Sequence, residues 1–259
     1  MRIWDLPAGY LNRQSLLGEH RELHGLYRIH RFGLTGYARH PETRRWRRCL
    51  SGLLRRHALL VAEMQLRGYQ DRTPLISRVR ETKWPLTFID EPVRQLELLR
   101  SKYAAREPGR IPLPRSASEL WAQHKYSVMA RDLEAYASIG RRVARIRRGA
   151  SLADLSLELT LLLRQRPPAG RAVNAIEHMW GYVSNAAGDD LRAAALSTPA
   201  CMLRATQTLA VRERQPFLLG STALSELTTL REFRIHNSQL KGVDTPVVEP
   251  RPYVRGTQF

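Results

Sequence analysis

Apolar residues recur at a helical period along most of this chain. From Leu11 to about Ile29, Leu16, Leu23 and Tyr27, joined less regularly by Leu17 and Leu26, predict the buried face of a helix. Ser15, Gly18, Glu22 and Gly25 fall on a different face, so Glu22 should border a cleft, with small neighbours that leave a sugar or backbone room to approach. Leu50 to Leu66 predicts a second amphipathic helix through Leu53, Leu54, Leu59, Leu60, Met64 and Leu66, ended by Gly68. A third is expected from Val93 to Ala105, and Ser116 or Ser118 can cap another running to about Ala137. GRRVARIRRG should continue as a basic helix to Gly149, and Ser151, Leu152, Leu155, Leu159 and Leu162 mark one stopped by Pro167 and Pro168. Helical stretches continue through Gly170–Ser184 and Leu191–Phe233. With every strong period near ~3.6 and no hairpin signal, the expected fold class is all-α.

The breakers divide the pattern. Glu107 to Ser118 holds Pro108, Gly109, Pro112 and Pro114, which predicts a catalytic domain over 1–112 and a helical accessory domain over 116–241. From Gly242 to Phe259 three prolines and no periodicity predict a flexible tail.

Charge sharpens this division. The 259 residues carry a formal net charge of +18, and residues 1–115 hold 23 basic against 11 acidic side chains. Such an excess favours a polyanionic partner, because lysine and arginine displace counterions from a phosphate backbone. Tyr27 to Arg48 interleaves Arg28, Arg31, Arg39, Arg44, Arg45, Arg47 and Arg48 with Phe32, Tyr37 and Trp46, a mix suited to phosphate contacts and base stacking or to an ordinary solvated loop. Arg55 and Arg56 can add to that basic face or be solvated. Cys49 and Cys201 are far apart and suit a reducing cytosol. No apolar run is long enough to span a membrane.

The first residues carry the candidate chemistry. Met1 to Leu26 is too polar and too broken by proline for a secretory signal, and Arg2 is too large for initiator-methionine removal, so a free Met1 α-amine is expected. An α-amine has a pKa near ~8, so part of it is neutral and nucleophilic at neutral pH. Glu22 offers a carboxylate that can stabilise positive charge on a sugar or take a proton. Together they would make a minimal lyase; alone, they could be an exposed terminus and a solvated helix residue. His20 and His24, four apart, could clamp a metal, but they face away from Glu22 and no third ligand is obvious, so no metal site is expected.

The run Arg2, Ile3, Leu16, Leu17, Glu19, Arg21, Glu22, Leu23 resembles the opening of the pyrimidine-dimer DNA glycosylases of the phage endonuclease V type, and Leu53–Tyr69 is similar to their central helix. The resemblance implies that the Met1 amine is the nucleophile, that Glu22 is essential, and that Arg2 and Arg21 hold phosphates and the damaged site. Lys102 and Arg106 match a late basic helix, while Gly36, Tyr37, His40 and Pro41 repeat a segment of bacterial relatives. From the basic, aromatic passage, Arg39, His40 and Arg44 join the nucleic-acid candidates. Met1 stands where the phage enzyme has threonine, Ser15 where it has histidine, and Gly25 where it has arginine, which bears on lesion choice more than on chemistry.

Trp121 to Ser184 resembles the uncharacterised helical domain fused to bacterial thiouracil desulfidases, through His124-Lys125-Tyr126, Ile139–Arg141 and Asn174, Glu177, His178, Gly181 and Tyr182. In those fusions the domain helps to engage tRNA, and the likeness implies a nucleic-acid-handling accessory part here, with RNA or tRNA as a candidate partner. Asn174, Glu177 and His178 could instead be buried polar residues satisfying one another on packed helices. The expectation is a cytoplasmic, nucleoid-associated repair glycosylase with abasic-site lyase activity on double-stranded DNA with damaged pyrimidines, needing no cofactor. The alternatives are the same chemistry on a base in RNA or tRNA, a general abasic-site lyase, and a non-enzymatic nucleic-acid binder.

Overall fold

The structure, a computed structural model, describes residues 1–75, 81–145, 151–230 and 233. Among these the chain is helical throughout, with no strand. The expected tail, 242–259, and the end of the basic stretch, 146–149, lie outside the described residues.

Helix α1 spans Arg13–Phe32. It starts where the Asn12 side chain accepts the Ser15 N–H at 2.9 Å, a cap worth about 1 kcal/mol, and stops at Gly33, whose left-handed φ of 67° favours glycine. Short α2 (Pro41–Arg45) leads into α3 (Leu50–Leu66), which packs on α1, and α4 (Pro92–Lys102) follows. Ile3, Leu11, Leu16, Leu23, Leu53, Leu60, Leu96 and Leu99 form the core of this half. The later half comprises α5 (Ala117–Met129), α6 (Leu133–Arg145), α7 (Leu152–Arg164), α8 (Ala169–Gly181), α9 (Asp189–Ser197), α10 (Pro199–Arg212), α11 (Pro216–Leu219) and α12 (Ala223–Glu226). The single helix expected to Ala137 is instead two: α5 is capped by Ser116, and Asp132 Oδ1 accepts the N–H groups of Glu134 and Ala135, starting α6 afresh.

Buried charge joins the halves. Glu63 of α3 accepts from Arg67, from Nε and Nη2 of Arg110 and from the Ser225 hydroxyl, all at 2.7–2.8 Å. Asp5 is gripped by Arg45 and by Arg164 of α7. The connector lies close: Ile111 N–H donates to the Gly9 carbonyl, and a Cβ on Gly109 would sit 2.4 Å from the Tyr10 carbonyl oxygen, so glycine is required there. A cavity of about 50 Å³ at this junction is lined by Trp4, Arg56, Trp84, Arg164 and Glu226, and includes neither Met1 nor Glu22.

The expected basic face of α3 is corrected by the same pairing. Arg56 is buried, donating to both oxygens of Glu19 and to the Leu6 carbonyl, and Arg55 donates to Thr229. Trp46 is likewise no stacking platform: it is 1% exposed and its indole N–H donates to Glu42. Phe32 and Tyr37 remain exposed. No described helix is long and apolar enough to cross a membrane.

Candidate active site

Two devices bring the amino terminus onto α1. Ile3 and Trp4 are buried, and the Trp4 N–H donates to Glu19, itself held by Arg56. One helical turn further along α1 from Glu19, the Glu22 carboxylate faces residues 1 and 2. Its Oε2 accepts the Arg2 backbone N–H at 2.5 Å, and its Oε1 lies 3.9 Å from the Met1 nitrogen. The Met1 side chain is 11% exposed and that of Glu22 is 40% exposed, so the terminus is docked while the acid stays open to a substrate. One oxygen is thus fixed by the backbone and the other is left facing the amine.

Space beside the pair is open. A Cβ added to Gly18 or Gly25 would meet nothing within 4 Å. An amine and a carboxylate so placed can do two things: the neutral amine can attack an electrophilic carbon, and the carboxylate can stabilise the cation that results or remove a nearby proton.

The basic candidates differ in what they touch. Arg21, Arg39, Arg44, Lys102 and Arg106 are exposed. Arg106 donates to Gln14, placing it about 12 Å along α1 from Glu22. Arg2 is engaged otherwise: its guanidinium pairs with Asp90 at 2.6 Å and lies over the Trp4 ring, so a phosphate would have to displace Asp90. His40 serves as the cap of α2, its Nδ1 accepting the Glu42 N–H at 3.1 Å.

The accessory residues do not form one cluster. His124 is buried at the junction, with Nδ1 2.8 Å from the Leu120 carbonyl oxygen and its ring against Tyr10, and burial pushes it down to about 4. Lys125 and Tyr182 meet instead over Phe217, on another side of α5, because consecutive helical positions point about 100° apart. Asn174 is half-buried, whereas Glu177 and His178 are exposed on α8, which overturns their reading as mutually satisfied buried groups.

His20 and His24 do face away from Glu22. Sequence reasoning missed what they face: His57 of α3 and Asp71, on the segment after α3. A helical wheel shows which residues share a side but not which partner element covers it. Burial pushes His57 down to about 4 and lowers His20 and His24, and repulsion from the neighbouring imidazoles adds to the effect on His57 and His24.

Comparison with known proteins finds two separate matches along the chain. Residues 1–77 match the family model described as pyrimidine dimer DNA glycosylase, and residues 125–206 match one described as a protein of unknown function, DUF1722. The chain therefore carries a segment similar to the pyrimidine dimer DNA glycosylases, followed by a separate helical segment similar to a second family. No curated protein and no solved structure matches it. Neither description names RNA, so the expected link to tRNA gains no support.

Proposed function

We propose that the chain excises damaged pyrimidines from double-stranded DNA and nicks the strand at the resulting site, using the Met1 amine as nucleophile. The observation that carries this is the 3.9 Å approach of the Met1 nitrogen to Glu22 Oε1, within a segment that matches the glycosylase family.

The neutral amine gives its lone pair to C1′ of the damaged nucleotide, and the electrons of the glycosidic bond leave with the base, which takes up a proton. Ring opening, with proton transfer to O4′, converts the aminal carbon to an imine. Glu22 offsets the positive charge that develops on the sugar and then removes a C2′ proton. The electrons of that C–H bond form the new double bond and expel the 3′ phosphate. Arg21, Arg39, Arg44, Lys102 and Arg106, all exposed, hold backbone phosphates, and the glycine-flanked face of α1 admits the sugar.

Borohydride trapping tests this, since it reduces the imine to a stable covalent adduct. The full chain is mixed with duplex DNA carrying a pyrimidine dimer, with duplex DNA carrying an abasic site, and with tRNA. Adducts on both DNAs are expected, with Glu22→Gln lowering strand cleavage by roughly a hundredfold or more. An adduct on abasic DNA alone would refute base excision and leave the lyase; an adduct on tRNA alone would refute DNA as substrate; no adduct would refute the chemistry.

A further inference from the structure

We propose that His20, His24, His57 and Asp71 form a binding site for one four-coordinate divalent cation of the zinc class, lying on the side of α1 away from Glu22. His20 and His24 sit one turn apart on α1, His57 reaches across from α3, and Asp71 closes the set from the segment that follows Gly68. One nitrogen from each imidazole and one carboxylate oxygen all lie within 4.8 Å of one another. Asp71 is central: Oδ1 is 3.3 Å from His20 Nε2 and Oδ2 is 3.7 Å from His57 Nε2. A tetrahedral zinc ion with bonds of about 2.0–2.1 Å needs its donors about 3.3–3.4 Å apart, so the widest pairs close by about an ångström and a half.

Two further observations favour an ion over a purely hydrogen-bonded cluster. His57, only 3% exposed, buries an Nε2 that makes no hydrogen bond, and the buried Nε2 of His20 faces Asp71 Oδ1 at 3.3 Å. Buried polar atoms are ordinarily satisfied, and a metal would engage both. The imidazole rings also pack with centroids 4.7–5.0 Å apart, two of the three pairs edge to face, which turns nitrogens from different directions toward a common centre.

The donor set and its burial specify the ion and its role. Three imidazoles and one carboxylate suit zinc and its transition-metal neighbours rather than calcium or magnesium, which take oxygen ligands. The side chains of His20, His57 and Asp71 are 12%, 4% and 7% exposed, and four protein ligands leave no position for a water, so the ion is structural. It ties α1 to α3 and to the 69–75 segment. This site does not depend on the proposed lyase chemistry, and its test reads metal rather than activity.

The full chain is stripped with a chelator and titrated with zinc(II), and separately with cobalt(II). Expected are one equivalent per chain, a rise in melting temperature on metal addition, and the intense visible absorption of four-coordinate cobalt. Asp71→Asn and His57→Gln should each weaken zinc binding by roughly a hundredfold or more and abolish the melting shift, while His178→Gln, at an exposed histidine on α8, should bind as wild type. Asp71→Cys should add thiolate-to-cobalt charge-transfer absorption, which reports the ligand directly. The absence of saturable binding by the wild-type chain, the weak spectrum of six-coordinate cobalt, or unchanged affinity in Asp71→Asn and His57→Gln would overturn the assignment.

Discussion

Glu63→Gln should cost the fold roughly 3 kcal/mol, and two independent routes give that figure. Glu63 is fully buried and is the common acceptor of Arg67, Arg110 and Ser225. Gln keeps the size but removes the charge, leaving two buried guanidiniums without their counter-ion, a change that costs about 3–5 kcal/mol where buried pairs are broken. The second route runs through protons. Burial pushes the Glu63 carboxyl up, but the two arginines override it and hold it down at about 2 against an ordinary 4.5, which at about 1.4 kcal/mol per pKa unit is roughly 3 kcal/mol. A folded-state pKa that is depressed contributes stability above the unfolded value, and that stability is lost as pH falls through about 2. The assay is urea unfolding of both proteins at about pH 7 and about pH 3. The gap should be roughly 3 kcal/mol at the higher pH and shrink by about 2 kcal/mol at the lower, because the protonated acid resembles the amide. A gap below about 1 kcal/mol near neutrality, or one insensitive to pH, would refute Glu63 as a charged link between the halves.

Three other outcomes are expected. Replacing Arg21 or Arg39 by Ala should weaken binding to duplex DNA regardless of sequence and flatten the dependence of log K on log salt by about 0.9 each; an unchanged slope would remove that residue from the phosphate contacts. Gly25→Ala, in mid-helix with open space around the new Cβ, should raise unfolding stability by about 0.5–1 kcal/mol, and a loss of stability in denaturant titration would contradict that packing. His124, pushed down by burial to about 4, supports stability that is full above its ordinary 6.5 and falls away as pH drops toward 4, by roughly 3 kcal/mol. In His124→Asn that part of the pH dependence between 6.5 and 4 should vanish from thermal melts, and its persistence would assign it elsewhere.

What the sequence disclosed and what it hid follow from the range of the interactions. The span of α3, Leu50–Leu66, agrees with its apolar spacing and with the glycine after it, because both signals are local. The open, small-residue face of α1 beside Glu22 was legible for the same reason. Long-range pairing was not. Arg45 and Arg56 read as surface charge because nothing near them in the chain reveals Asp5 or Glu19, to which the fold brings them. His57 and Asp71 gave no sign of belonging with His20 and His24, since the contact depends on how α3 and the segment beyond it lie against α1. The break between α5 and α6 was a missed local signal: Asp132 is a helix-capping residue, set in an otherwise continuous apolar pattern.

Everything proposed for catalysis depends on which nitrogen reacts, and peptide mapping of the borohydride-trapped complex identifies it. With dimer-containing DNA, the reduced sugar should be found on the peptide that begins at Met1, and a chain bearing one added glycine before Met1, whose amine no longer sits 3.9 Å from the acid, should lose the adduct. A sugar attached to a lysine side chain, or trapping undiminished by the added residue, would contradict the assignment of the Met1 amine.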